Sequence, residues 1–328
     1  MVSFWTAVLA ISILIYVLLD GFDLGVGILF GVARSEPQRR AMMSAVAPIW
    51  DGNETWLVVS GVVLWGAFPL VYSILMSAFY LPVLLMLAAL ILRGVAFEYR
   101  HQTDRMRWIW DASFAGGSFV AAFMQGLMVG ALVEGFPIEH GRYAGGTFGW
   151  LSPFAVLCAI GLCVGYTLLG ACWLVRKYEG ALREAAYRII PYLSLALLVF
   201  LIAVFGYALA KNLPVTSRWL AQPYLFVFPV IGALAAIVLA FSVRHRQDRP
   251  PFVMVTVIFV AAFSTLAISF WPYMIPFAIT VEQAAAPHSS LAFMFWFAGI
   301  VVFPLMLIYT AISLSVFRGK VGPPADHY

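Results

Sequence analysis

The first thirty residues, MVSFWTAVLA ISILIYVLLD GFDLGVGILF (Met1–Phe30), decide the fold. Met1 to Leu19 carry no charged side chain, and after Asp20 and Asp23 the apolar run continues until Arg34. A helix needs about 20 mostly apolar residues to cross a bilayer, so this segment reads as a membrane span. No basic region precedes it and the run is too long for a secretory leader, so it reads as an uncleaved first span. The rest of the chain has the same character. Of 328 residues, 63% are hydrophobic and 10% charged, with a mean hydropathy of +0.96. Soluble domains run near 45–50% apolar and about 25% charged, and one globular core cannot hide an excess of this size. A soluble enzyme is excluded, and lipid is the solvent for most of the chain.

Applied along the sequence, the same length criterion places nine spans, at 4–30, 54–72, 75–97, 112–134, 151–175, 188–210, 222–243, 252–273 and 289–317. Pro69, Tyr72 and Ser73 suggest a tight turn between spans two and three, at 71–75, and Pro272 and Pro276 close the eighth span ahead of an external loop. The expectation is a single all-α integral membrane domain over 1–328, with nine helices divisible by count into two four-helix bundles plus one. The cations test that count. Fifteen Lys and Arg fall in the odd connections and the C-terminus: Arg34, Arg39, Arg40, Arg100, Arg105, Arg107, Arg176, Lys177, Arg183, Arg188, Arg244, Arg246, Arg249, Arg318 and Lys320. Only Arg142, Lys211 and Arg218 fall on the other side, while Arg93 lies inside a span. Cytoplasmic loops collect Lys and Arg, so the split predicts an N-terminus outside and a C-terminus in the cytoplasm. The net charge of +4 and pI near 9.0 are therefore topological and imply no nucleic-acid partner. GxxxG pairs at Gly21/Gly25, Gly27/Gly31, Gly126/Gly130 and Gly161/Gly165 predict close helix approach, within one chain or at a subunit contact.

Ionisable groups inside a bilayer cost several kcal/mol, so each needs a partner, water or a function. Asp20 and Asp23 lie on one helix face, roughly 16–20 Å from Arg34 by helix rise. Two adjacent carboxylates repel, so one carries a proton or a cation holds them, as in a proton relay. The plainer alternative is that Asp23 caps or bonds a neighbouring helix. In APIWDGNETW (Ala47–Trp56), Pro48 and Gly52 are expected to break the backbone where the chain re-enters the membrane. Asp51, Asn53 and Glu54 then lie at the mouth of the second span. They fit a helix N-cap with an acid in the first turn, yet they are more polar groups than a cap requires. Trp50 and Trp56 suit an interfacial belt. Arg93 either snorkels to the headgroups or pairs with Asp20, Asp23 or Asp51. Glu98 and Arg100 continue onto the cytoplasmic edge, and mid-span Gln125 is expected to bond a neighbouring helix.

The five histidines, His101, His140, His245, His288 and His327, fall in loops or the tail. A haem bound within the bilayer usually takes a mid-span His, or a Met or Cys. Met76, Met86 and Met124 read as packing, as do Cys158, Cys163 and Cys172, which share one apolar stretch. No P-loop, dinucleotide fingerprint or zinc spacing occurs. The sequence predicts no metal site, no catalytic residue and no redox centre in this chain alone.

Taken together, DGFDLGVG (Asp20–Gly27), the basic loop after it, APIWDGNETWL (Ala47–Leu57), LRGVAFEYR (Leu92–Arg100) and RWIWD (Arg107–Asp111) resemble subunit II of the cytochrome bd-type quinol oxidases. The resemblance is specific over the first 135 residues. It continues more loosely through SPFAVLCAIGLCVGYTLLGACWL (Ser152–Leu174) and FWPYMIP (Phe270–Pro276). The WDGNETW form is similar to the branch often called cyanide-insensitive oxidases. The resemblance implies nine spans in a bacterial inner membrane and a haem-free subunit. Its partner, subunit I, would hold haems b and d, oxidise quinol and reduce oxygen to water. A small single-span accessory subunit, membrane lipid and quinone are the other implied partners. The resemblance also implies that Asp51 is a proton-path residue, that Trp50 is associated with haem assembly in the partner, and that Asp20, Asp23 and Arg93 serve assembly or proton access. Where the family's motif reads WDGNQ this chain has Glu54, a second carboxyl at that point.

The expected function is cytoplasmic proton uptake through Asp51, Glu54, Asp20 and Asp23, with Trp50, Asn53, Arg93 and Glu98 at assembly or interface positions. A stand-alone proton-coupled transporter or channel also explains buried carboxyls. Against it, the chain has no matching pair of interrupted spans and too few polar residues to hold a sizeable substrate.

Overall fold

The computed structural model describes residues 1–102, 105–211 and 213–321; His327 lies outside them. The chain is a bundle of long helices. α1 (Val2–Gly31) is followed by short α2 (Glu36–Ser44), α3 (Trp50–Ala67) and α4 (Pro69–Ala78). Next come α5 (Tyr80–Tyr99), α6 (Arg107–Glu134), a two-residue hairpin of β1 (Ile138–Glu139) and β2 (Arg142–Tyr143), and α7 (Pro153–Lys177). α8 (Gly180–Ala210), α9 (Pro214–Ala221), α10 (Val227–Arg244) and α11 (Pro250–Phe270) lead to a second hairpin, β3 (Tyr273–Ile275) and β4 (Ile279–Thr280). Short α12 (Val281–Ala284) precedes a last long helix made of α13 (His288–Met294), a π-helical stretch (Phe295–Val302) and α14 (Phe303–Val316).

Among the described residues, eight helices are long and apolar enough to cross a membrane. The expected span not among them is the second, at 54–72, which falls on α3, whose 18 residues include Asp51 and Glu54, and on the start of α4. The turn expected at 71–75 is not there. The chain breaks earlier, at Phe68 (φ −134°, ψ 59°), and again at Phe79. A residue before proline is pushed out of the helical region, so Pro69 stops α3 at its own N-terminal side and opens α4 instead of ending it. The sixth span also starts earlier than expected. Arg183 and Arg188 lie in the first turns of α8, after a corner at Gly180 (φ +68°). His288 is the first residue of α13, not a loop residue, and His245 caps α10.

α1, α3, α5 and α6 pack as one group and α7, α8, α10 and α11 as another, and α7 is the wall they share, running along α1 and α6 as well as α8. Such closeness needs residues without side chains. A Cβ on Gly25 would meet the Tyr166 carbonyl oxygen at 1.8 Å, and one on Gly130 the Ala155 Cα at 2.6 Å. All four GxxxG pairs face helices of the same chain. Cys163 and Cys172 are buried without bridges.

The loops that hold most of the cations meet at one end. There Arg100 pairs with Glu36, Arg39 with Asp111, Arg183 with Asp248, and Lys320 with Glu179. At the other end the Ala286 amide donates to the Ala67 carbonyl and the Trp5 indole to the Leu291 carbonyl. A second apolar cluster including Trp5, Phe68, Ile74, Ile275 and Leu291 packs there.

Candidate functional site

Inside the basic end, with Arg93 about 10 Å deeper than Arg100 by helix rise, α1, α3 and α5 bring together most of the polar residues singled out in the sequence. Asp20 and Asp23 lie one turn apart on α1, on the face turned into the bundle. Arg93 on α5 reaches both: Nη1 donates to Asp20 Oδ1 at 2.7 Å, and Nη2 stands 3.9 Å from Asp23 Oδ2. Asn53 on α3 donates from Nδ2 to Asp23 Oδ2 at 2.7 Å. The arginine does not snorkel; its side chain and both aspartates are buried. An arginine fork answering two carboxyls is the arrangement that makes such burial tolerable. The cluster is still incompletely satisfied: Asp20 Oδ2, Asp23 Oδ1 and Arg93 Nε have no hydrogen-bond partner.

Glu54 links this cluster to the surface. It is half-buried, with Oε2 buried and unbonded. It lies within electrostatic reach of Asp51 on one side and of Asp20, Asp23 and Arg93 on the other. Asp51 is exposed. Neither Asp51 nor Asn53 caps α3. The N-cap is Ile49, and the helix amides are served by carbonyls of the preceding turn, with Trp50 N bonding Val46 O and Asn53 N bonding Ile49 O at 3.0 Å. Gly52 does not break the backbone; it lies within the first turn of α3 and lets the Tyr309 ring approach. Trp50 of α3 stacks on Phe97 of α5 with ring centroids 4.8 Å apart. Trp56 is fully buried and bonded to Thr310, so it belongs to no interfacial belt. Glu98 lies exposed in the last turn of α5.

Two networks have partners that the sequence does not reveal. Gln125 does bond its neighbours, and both are tyrosines: Tyr166 Oη donates to Gln125 Oε1 at 2.9 Å, and Gln125 Nε2 donates to Tyr16 Oη at 2.8 Å. The available signal was Tyr16, one turn before Asp20 on the same face. Nearer the basic end, buried Arg100 donates to both oxygens of Glu36 at 3.1 and 2.8 Å, and to Asp111 at 2.5 Å. Partial burial would raise Glu36, but hydrogen bonds from Arg100 and Arg40 and the surrounding arginines hold it below its ordinary value. Burial, with Arg100 and Arg40 beside it, lowers His101.

Among the described residues, no group of three or more His, Cys, Asp or Glu is placed to hold a metal ion. His101, His140, His245 and His288 sit at helix ends or in turns, and Met86 is packed among Leu90, Ala121 and Tyr166.

Comparisons with known proteins agree with this architecture. The family model described as cytochrome bd terminal oxidase subunit II matches residues 1–317. A probable cytochrome oxidase subunit 2 of Haemophilus influenzae is 30% identical, covering 97% of this chain and 94% of its own. The cytochrome bd-I ubiquinol oxidase subunit 2 of Escherichia coli is 29% identical over the same shares. In fold, a chain of the solved bd oxidase from Geobacillus thermodenitrificans superposes with a TM-score of 0.77 at 16% identity, over 96% of both chains. The chain therefore belongs to the cytochrome bd terminal oxidase subunit II family, and it is an integral inner-membrane subunit of an oxidoreductase complex.

Proposed function

We propose that this chain is the haem-free subunit of a quinol oxidase, that it pairs with a haem-bearing subunit I, and that it contributes the cytoplasmic route by which protons enter. Haem in the partner would supply electron transfer and oxygen reduction. Reducing one oxygen to two waters takes four electrons, from two quinols, and four protons. Drawing those protons from the cytoplasm builds a gradient without a pump. The observation that carries the reading is the graded approach to the Asp20–Arg93–Asp23 cluster: Asp51 exposed, Glu54 half-buried, then carboxyls fully enclosed. In this reading α3 also crosses the membrane, as the second of nine spans, and the basic end faces the cytoplasm, in keeping with the positive-inside rule. Asp51 and Glu54 collect protons, and Asp20 and Asp23 pass them toward the partner, with Arg93 and Asn53 holding both aspartates in place. Trp50 and Glu98 lie at the same edge and serve the subunit contact.

The test is Asp51→Asn in the assembled oxidase, with haem content checked by the reduced-minus-oxidised spectrum. The expected result is slower quinol-driven oxygen uptake and slower proton uptake at normal haem content. Wild-type values for both would overturn the role of Asp51. Purification in mild detergent tests the pairing itself: a co-purifying haem-bearing membrane subunit is expected, whereas a colourless homo-oligomer would favour a stand-alone transporter.

A further inference from the structure

We propose that Tyr309 and Thr310 of α14 are positioning residues that back α3 from the side opposite α5 and so keep Asn53 in line with Asp23; the inference rests on the reading of Asp23 as part of the proton route. At about 100° per residue, the first two turns of α3 face three neighbours. Asn53 faces α1 and donates to Asp23 Oδ2 at 2.7 Å. Trp50 faces α5, where it stacks on Phe97 and where a Cβ on Gly94, next to Arg93, would meet its ring at 3.3 Å. Gly52 and Trp56, four residues apart on one face, meet α14. A Cβ on Gly52 would stand 3.1 Å from Tyr309 Oη, and the Trp56 indole donates to Thr310 Oγ1 at 3.0 Å. Asp51 is left on the open side. The mouth of α3 is thus wedged between α5 and α14, with its bond to Asp23 on the flank.

The contact also fixes register. Trp56 is fully buried, and an indole N–H can only donate. A buried donor without an acceptor is costly, so sliding α14 along α3 by one turn, about 5.4 Å, would strand it. Thr310 lies in a seam of half-buried residues, Phe303, Met306, Thr310 and Ser313, that recur at helical spacing, and Phe303 meets the Trp56 ring edge-on at 6.1 Å. α14 buries no residue of its own, so its hold on the mouth of α3 depends on these few contacts. Asn53 stands one turn before Trp56. A shift of about 1 Å there takes a 2.7 Å bond beyond hydrogen-bonding range, and Asp23 is then left with Arg93 alone, at 3.9 Å.

The experiment uses the complete oxidase carrying Thr310→Val, Asn53→Leu, the two together, or Asp23→Asn. Turnover is measured per haem in H2O and in D2O, with proton uptake followed by a pH-sensitive dye. Thr310→Val keeps the side chain's shape and removes the acceptor. It is expected to slow turnover and proton uptake roughly tenfold, the scale of one buried hydrogen bond, and to raise the solvent isotope effect, because proton delivery becomes limiting. Asn53→Leu should do the same, and the pair should be no slower than Asn53→Leu alone, because both act through one bond. A merely structural role would lower haem content, multiply the two losses and leave the isotope effect of the remaining enzyme unchanged. If Thr310→Val fails to assemble, Tyr309→Ala, alone and with Asn53→Leu, gives the same reading. Wild-type turnover in Thr310→Val or Asn53→Leu, or losses that multiply in the pair, beside a slowed Asp23→Asn overturn the positioning role alone. Wild-type turnover and proton uptake in Asp23→Asn overturn the proton-route reading on which it rests.

Discussion

Replacing Arg93 with methionine removes the single cation that answers two buried carboxyls, and the structure sets the scale of the loss. The Arg93 side chain is 0% exposed, as is that of Asp23, and that of Asp20 is 1% exposed. Methionine fills much of the volume but donates nothing. Asp23 keeps only its bond from Asn53, and Asp20 loses its 2.7 Å ion pair. Removing one partner of a buried pair costs about 3–5 kcal/mol, because the other charge is left unpaired out of water. Arg93→Lys keeps the charge but not the fork, so it holds one carboxyl at a time and falls between the two. The informative variant is the triple one, Arg93→Met with Asp20→Asn and Asp23→Asn. Removing a whole buried ionic group is often neutral, so its stability should return to within about 1–2 kcal/mol of wild type. Denaturant titration of the purified complex in detergent, with haem absorbance as the probe of assembly, measures all three. The reasoning fails if Arg93→Met lies within about 1 kcal/mol of wild type, or if the triple variant is no more stable than the single one.

Two further perturbations probe other parts of the fold. Gly25→Ala places a Cβ 1.8 Å from the Tyr166 carbonyl oxygen; both groups are backbone-bound, so α1 and α7 must part, at a cost of about 3 kcal/mol or more, while Gly206→Ala, with nothing within 4 Å, should change the unfolding midpoint little. Glu36 has its affinity for protons lowered by Arg100 and Arg40 in the folded protein, so the folded state binds fewer protons there than the unfolded chain. That stability is complete above the ordinary carboxylate value and is lost as pH falls through the lowered one; Glu36→Gln should therefore flatten the acid side of a stability-versus-pH curve.

The sequence reveals the site through the cost of charge in lipid. Asp20, Asp23 and Arg93 stand out because they lie inside long apolar runs, and a span offers few reasons to keep such groups. α1 and α5 both pack on α6, and the long Arg93 side chain spans from one to the other. Tyrosines carry no such signal. Tyr16 and Tyr166 look like ordinary amphipathic packing residues until Gln125 is seen between them. Capping preference misleads at Asp51 and Asn53 because the turn before α3 already supplies carbonyl partners, which frees both side chains for other work. Pro69 is legible as a break, but the side of the proline on which the helix stops depends on the residue before it, and that moves the boundary to Phe68. Contacts between distant loops, such as Arg100 with Glu36 and Asp111, leave no local pattern.

Charge balance adds an argument that contact geometry alone does not make. One guanidinium faces Asp20 and Asp23, and Glu54 adds a third carboxyl within reach of both. Fully ionised, the group would carry two uncompensated negative charges among buried atoms that lack hydrogen-bond partners. Such a state is far more costly than one in which protons are held among the carboxyls, so the proposed route is a store as well as a passage. Glu54 is the member whose charge is felt by both the enclosed pair and the exposed Asp51. Glu54→Gln removes one acid from the store but keeps the side chain's shape, so stability should hold while proton uptake slows. Equal uptake rates in Glu54→Gln and wild type, measured by dye in the same vesicles, would show that Asp51 reaches the buried pair without it.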